Sequence, residues 1–90
     1  MPEETVEIIK KFFTKKGFKV TITDFNQSEI GTWYCRISIY LHGNLVLGAN
    51  GKGTSKEYAL ASGFAELYER FSNRFNYVMS PLFFRDYIQL

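Results

Sequence analysis

The chain has 90 residues, 46% of them hydrophobic and 22% charged, with a net charge of +2. That length allows one small domain or part of a larger one. The composition excludes disorder, and the charge is too weak to imply nucleic acid or an acidic membrane surface.

Cys35 is the only cysteine. It rules out an internal disulfide and a cysteine-rich metal site, and it suits a reducing compartment. No apolar run approaches the roughly 18 residues needed to cross a bilayer. Met1-Pro2-Glu3-Glu4 is acidic where a secretory signal is basic, so the expected setting is cytoplasmic, with no membrane partner. Nine Phe, six Tyr and one Trp point to a core built from rings, or to rings meant for a partner surface.

Residues 3–16 have helical periodicity. Val6, Ile9 and Phe13 fall at i, i+3 and i+7, and Ile8 and Phe12 widen the stripe. Glutamates come early and lysines late, which suits the helix dipole, and Gly17 is a natural stop. Residues 18–25 alternate, with Phe18, Val20 and Ile22 on one side of a half-buried strand. A polar loop follows at 26–31. Trp33, Cys35, Ile37, Ile39 and Leu41 then share one face, opposite Tyr34, Arg36, Ser38 and Tyr40. His42-Gly43-Asn44 makes a tight turn into a third strand over 45–49, completing a hairpin. Cys35 reads as a buried, inert thiol. His42 sits at a turn on the opposite face, which is poor geometry for a Cys–His pair.

Residues 54–77 form the second long helix, capped by Thr54 or Ser55. Leu60, Phe64, Leu67, Phe71 and Phe75 make its apolar stripe, with Ala61, Ala65 and Ser72 beside it for close packing. The predicted fold is α+β: α-β-β-β-α, a three-stranded antiparallel sheet with two long helices on one face. It occupies residues 1–78. The tail 79–90 is apolar, with Leu82, Phe83, Phe84, Tyr87, Ile88 and Leu90, and reads as leading into a further part of the protein. An apolar patch left by that remainder predicts a homo-oligomer.

Chemistry concentrates between residues 50 and 73. Ser62, Glu66, Glu69 and Asn73 share a second face of the helix, with Arg70 at its margin. Glu66 and Glu69 are neighbours there. Two adjacent carboxylates repel unless paired, and a hard divalent cation relieves that repulsion. The same residues also read as a solvated face, with Arg70 at i+4 from Glu66 and Arg74 one turn further on as ion-pair partners. Gly51-Lys52-Gly53 reads as a turn before the helix, or as a set of backbone N–H groups and a lysine offered to an anion. It is not a Walker loop, because Gly53 stands where Ser or Thr must follow the lysine.

Two family resemblances arise. The α-β-β-β-α order and the Gly-x-Gly-x-Ser-Lys start of the last helix are similar to the double-stranded RNA-binding domain. Against it, Lys56 is followed by Glu57 rather than by a lysine cluster, and residues 26–31 lack a Gly-Pro-x-His pattern. The second resemblance is more specific. Asn50-Gly51-Lys52-Gly53, then Ala59-Leu60-Ala61-Ser62, then Ser62, Glu66, Glu69 and Arg70 in a Ser-x-x-x-Glu-x-x-Glu-Arg spacing resemble the start of a YcaO domain. That ATP-using family activates peptide backbone amides.

The resemblance covers most of the 90 residues and implies a function. Glu66 and Glu69 would be Mg²⁺ ligands, direct or through water. Ser62, Arg70 and Lys52 would hold ATP or order the glutamates. The substrate would be a peptide or ribosomal protein whose amide oxygen is phosphorylated, leading to azoline or thioamide formation or an auxiliary role in ribosomal-protein modification. Family domains run to several hundred residues, so the chain is expected to be an N-terminal fragment. It would carry one half of the nucleotide–metal site, bind ATP and Mg²⁺ weakly or not at all, and be inactive alone. The alternatives are a double-stranded-RNA-binding-like module and a structural or dimerisation domain.

Overall fold

Strict alternation over residues 33–41 and the turn residues after it set up a sheet, and two amphipathic segments flank it. The structure, a computed structural model, describes residues 1–75 in the order α1 (Pro2–Lys15), β1 (Lys19–Gln27), β2 (Trp33–Leu41), β3 (Asn44–Gly53) and α2 (Lys56–Phe75). The expected tail 79–90 and the expected last residues of the second helix, 76–77, lie outside the described residues. Among the described residues no helix is long and apolar enough to cross a membrane.

α1 starts on a proline, whose fixed φ suits the first turn. It carries Glu3 and Glu4 in its first turn and Lys15 in its last. Gly17 then takes φ 93°, a left-handed conformation that glycine adopts without a Cβ clash. The strands form one antiparallel sheet in the order β1-β2-β3. His42 and Gly43 both have positive φ, the two-residue turn whose twist matches the flanking strands. Asn44 is already the first residue of β3. The β1–β2 register shifts between Thr23 and Asn26, where Asp24 adopts φ 53°.

Cys35, Ile37 and Ile39 are buried beneath the helices, while Trp33 and Leu41, at the ends of β2, are half-buried. Cys35, Ile37 and Ile39 join Phe13 of α1, Ala49 of β3, and Ala59, Phe64, Leu67 and Phe71 of α2 in a single cluster, with Trp33 packed against it. Both helices therefore cover the same face of the sheet, as the two apolar stripes require. Rings dominate the α1–α2 junction. Phe71 meets Phe12, Phe13 and Phe18 edge-on, with centroids 5.8, 5.3 and 5.7 Å away, the geometry that aligns the positive edge of one ring with the negative face of another.

Four local expectations need correction. Ile22, expected on the packed side of β1 with Phe18 and Val20, is exposed. Ile8 is exposed, so the buried stripe of α1 is narrower than its hydrophobic pattern. The close packing of α2 is made by Ala59 and Gly63, both buried, whereas Ala65 is exposed. Residues 50–53 do not form a turn: β3 runs on through Gly53.

Candidate functional site

The glycines at 51 and 53 serve a close approach between strand and helix. A Cβ on Gly51 would fall against the Ala59 carbonyl oxygen and the Gly63 nitrogen, and 2.6 Å from Gly63 Cα. A Cβ on Gly53 would lie 2.7 Å from the Ala59 nitrogen. On the helix side, Gly63 leaves room for Ile37, whose Cγ1 would be 2.8 Å from an added Cβ. Glycine inside a strand often marks such backbone contact. The Cys35 thiol fills the seam beneath, donating to the Ala59 carbonyl at 3.3 Å. Burial pushes that thiol up from its ordinary range, against a smaller opposing effect of the Gly51 backbone. It is a packed, protonated group and not a nucleophile.

Because α2 sits so close, its polar face reaches the backbone of β3. The Lys52 N–H donates to Ser62 Oγ at 3.5 Å, and Arg70 Nη1 donates to the Gly48 carbonyl at 3.1 Å. β3 is an outer strand, so these side chains satisfy edge groups that β2 cannot reach. They also blunt an edge that would otherwise template pairing. Arg70 Nε binds Glu66 Oε1 at 3.1 Å, one helical turn away. Ser55 Oγ accepts from the Tyr58 N–H at 3.2 Å and so caps the helix.

These contacts frame an open cleft of about 600 Å³ between the α2 polar face and the sheet. Lys52, Ser62, Glu66 and Arg70 line it, joined by Asp24, Asn26, Tyr34, Arg36 and Asn50 from the strands. Glu69 is exposed on α2 and is not part of the lining. The cleft thus holds three cationic side chains, Arg36, Lys52 and Arg70, against two carboxylates, Asp24 and Glu66. Among the described residues the only ion pair is Arg70–Glu66. Arg36 and Lys52 have no carboxylate partner there and leave the cleft with surplus positive charge.

No family model matches the chain, and no curated protein matches it. The site therefore rests on its own geometry. The structure brings together four of the five residues that the sequence singles out, and the glutamates part company: Glu66 faces the cleft, Glu69 does not line it. Sequence reading missed Arg36, Asn50, Asp24, Asn26 and Tyr34. Arg36 and Tyr34 were legible as the polar side of β2, but periodicity does not report that the Arg36 guanidinium folds over Gly48, whose carbonyl also accepts from Arg70 of α2.

The lining is poor in metal ligands. The described residues hold no group of three or more His, Cys, Asp or Glu side chains placed to share a metal ion. One or two carboxylates, with water and phosphate completing the shell, is the usual way Mg²⁺ binds beside a nucleotide. Glu66 and Asp24 are the two carboxylates in the lining that could supply such ligands; an all-protein cage does not fit.

Proposed function

We propose that this chain is the α-β-β-β-α part of a YcaO-type, ATP-dependent protein that activates peptide backbone amides, and that the cleft supplies one half of its nucleotide–Mg²⁺ site. One observation carries the reading. Lys52, Ser62, Glu66 and Arg70, drawn from the two sequence segments that resemble that family, line a single cleft with surplus positive charge. In phosphoryl transfer the protein works chiefly by positioning and by opposing charge on the phosphoryl oxygens. Lys52 and Arg70 would oppose that charge, and Ser62 would donate to phosphate. Glu66 would hold Mg²⁺ directly or through water, and Mg²⁺ would neutralise charge as the phosphoryl group moves. Glu69, outside the cleft lining, would act on metal only through water or through residues supplied from elsewhere.

The rest of the reading follows from what a half-site lacks. Two carboxylates, one of them already paired, and three cations cannot enclose ATP, so the isolated chain binds Mg·ATP weakly and does not turn it over. The peptide or ribosomal-protein substrate, the remaining ligands and the cytoplasmic setting belong to this proposal as well.

The test uses Mn²⁺ as a paramagnetic stand-in for Mg²⁺ on the full 90-residue chain. With ATP present, Mn²⁺ should broaden amide signals around Gly51–Gly53 and Ser62–Arg70, and Glu66→Gln should remove the effect. Broadening elsewhere, or broadening that ignores ATP and survives Glu66→Gln, would overturn the reading. In a longer protein carrying this segment, Glu66→Gln should cut ATP hydrolysis sharply with circular dichroism unchanged.

A further inference from the structure

Gly48 and Asn50 hold one side chain of the cleft in a way that the fold itself does not need. Arg36 lies on the face of β2 turned away from α1 and α2, paired across the sheet with Asn50. Its guanidinium folds back over β3. The point that a Gly48 Cβ would occupy lies 2.6 Å from Arg36 Nη2, 3.1 Å from its Cζ and 3.2 Å from Ser38 Oγ. Any side chain at 48 would push the guanidinium off this seat. Gly48 is not among the positive-φ glycines, so the missing side chain, and not a special backbone conformation, is what the position uses. Arg36 Nη1 donates to Asn50 Oδ1 at 3.0 Å. A neutral amide oxygen fixes the orientation of a guanidinium without cancelling its charge. Lys52, two residues on from Asn50, projects from the same face of β3, diagonal to Arg36 and within reach of a shared ligand for two long side chains.

We propose that Arg36 is a phosphate-binding side chain of this cleft, seated by Gly48 and aimed by Asn50, and that it grips the ligand together with Lys52. The inference rests on the reading that the cleft takes a phosphate-bearing ligand. It needs neither the metal nor the family assignment. Arginine suits the task because its planar fork matches two phosphate oxygens at once. With one Nη1 hydrogen on Asn50, the other donors of the fork remain for the ligand. Gly48 joins the two arginines of the cleft: its missing side chain seats Arg36, and its carbonyl accepts from Arg70. An anion lying over residues 48–52 would therefore meet Arg36, Arg70 and Lys52.

The experiment titrates the full chain with inorganic tripolyphosphate at millimolar concentrations, without metal, and reads backbone amide and arginine Nε–H signals by NMR. The Arg36 Nε–H, Gly48 and Lys52 signals should move together in the wild type. Arg36→Gln should weaken binding about tenfold, the loss of one charge-assisted hydrogen bond. Gly48→Ala should weaken it comparably while leaving the net charge and the thermal midpoint nearly unchanged, because the added methyl meets only movable side-chain atoms. Arg36→Lys should restore part of the affinity. Parallel loss in Arg36→Gln and Gly48→Ala separates a positioned ligand from a diffuse charge effect. An unmoved Arg36 signal in the wild type, or wild-type affinity in Gly48→Ala, would overturn the proposal. A repeat with Mg·ATP distinguishes this inference from the nucleotide–metal reading. If Arg36→Gln matters and Glu66→Gln does not, Arg36 stands and the metal role falls. If Glu66→Gln matters and Arg36→Gln does not, the reverse holds.

Discussion

Substituting Gly51 by alanine should be the most damaging single-methyl change in the described chain. The methyl would press on backbone atoms of Ala59 and Gly63, which cannot rotate away, so α2 must lift from β3 by something near 1 Å. A gap of that size forfeits a quarter to a half of the dispersion attraction along the affected contact. Overpacking of this kind costs typically about 1–3 kcal/mol, and rigid backbone on one side puts this case at the upper end, about 3 kcal/mol. A domain of this size has roughly 5–10 kcal/mol in total. The midpoint of thermal unfolding should then fall by about 12–24 °C, at about 4–8 °C per kcal/mol. Two other glycines calibrate the experiment. At Gly63 the nearest obstacle is the Ile37 Cγ1, a movable side-chain atom, and alanine recovers about 1 kcal/mol of helix propensity; Gly63→Ala should stay within about 1 kcal/mol of wild type. At Gly48 the obstacles are side-chain atoms of Arg36 and Ser38, and stability should barely change. Chemical and thermal denaturation followed by circular dichroism measure all three. A Gly51→Ala loss below about 1 kcal/mol, or one no larger than that of Gly63→Ala, would refute the claim that helix and strand backbones are in contact.

Phe71→Ala removes the ring on which Phe12, Phe13, Phe18 and Phe75 converge and should cost about 3–5 kcal/mol, a fall of about 12–40 °C in the thermal midpoint followed by circular dichroism. The raised Cys35 ionisation gives stability a pH slope: the unfolded thiol loses its proton first, at about 8.5, so above that pH the folded chain binds more protons and stability falls until the folded thiol ionises. Urea midpoints between about pH 8 and 10 should decline more steeply in wild type than in Cys35→Ala; equal slopes would count against a buried, protonated thiol. The apolar run 82–90 together with exposed Ile8, Phe25 and Ile30 predicts self-association at micromolar concentration, and a clean monomer in sedimentation velocity would contradict it.

Periodicity made the architecture legible. The five alternating apolar residues of β2 have one register in which Cys35, Ile37 and Ile39 all face the helices, because a slip of one residue would turn the whole set outward. The paired positive-φ residues of the hairpin were readable from Gly43 and its neighbours for the same kind of reason: few sequences tolerate that turn. The extent of β3 was not readable. Gly51 and Gly53 carry the usual marks of a turn, and only their spacing of two, set against Ala59 and Gly63 four apart on the helix, hints at a strand stripped of side chains so that a helix can rest on it. Ile8 misled for the opposite reason. It belongs to the apolar pattern of α1, yet the part of α1 that meets the core is Phe13, buried, with Val6, Ile9 and Phe12 packed half-buried beside it.

Of the candidate site, spacing alone placed Ser62, Glu66 and Arg70 on one helical face, and that much is geometry. It could not separate Glu66 from Glu69, since both are neighbours of the same stripe; the difference arises from where β3 crosses the helix. Nor could it say that Ser62 and Arg70 already have partners on the strand. Arg70 illustrates why this does not disqualify them. A guanidinium has five N–H donors in a fixed plane. One is spent on Glu66 and one on the Gly48 carbonyl. Those two bonds fix the plane and leave the remaining donors for a ligand, while half of the Arg70 side chain stays exposed. The contacts that hold helix to strand are thus the same ones that orient the cation over the cleft. The site and the packing share one cause, the absence of side chains at Gly51 and Gly63. Restoring a methyl at Gly51 would disturb both.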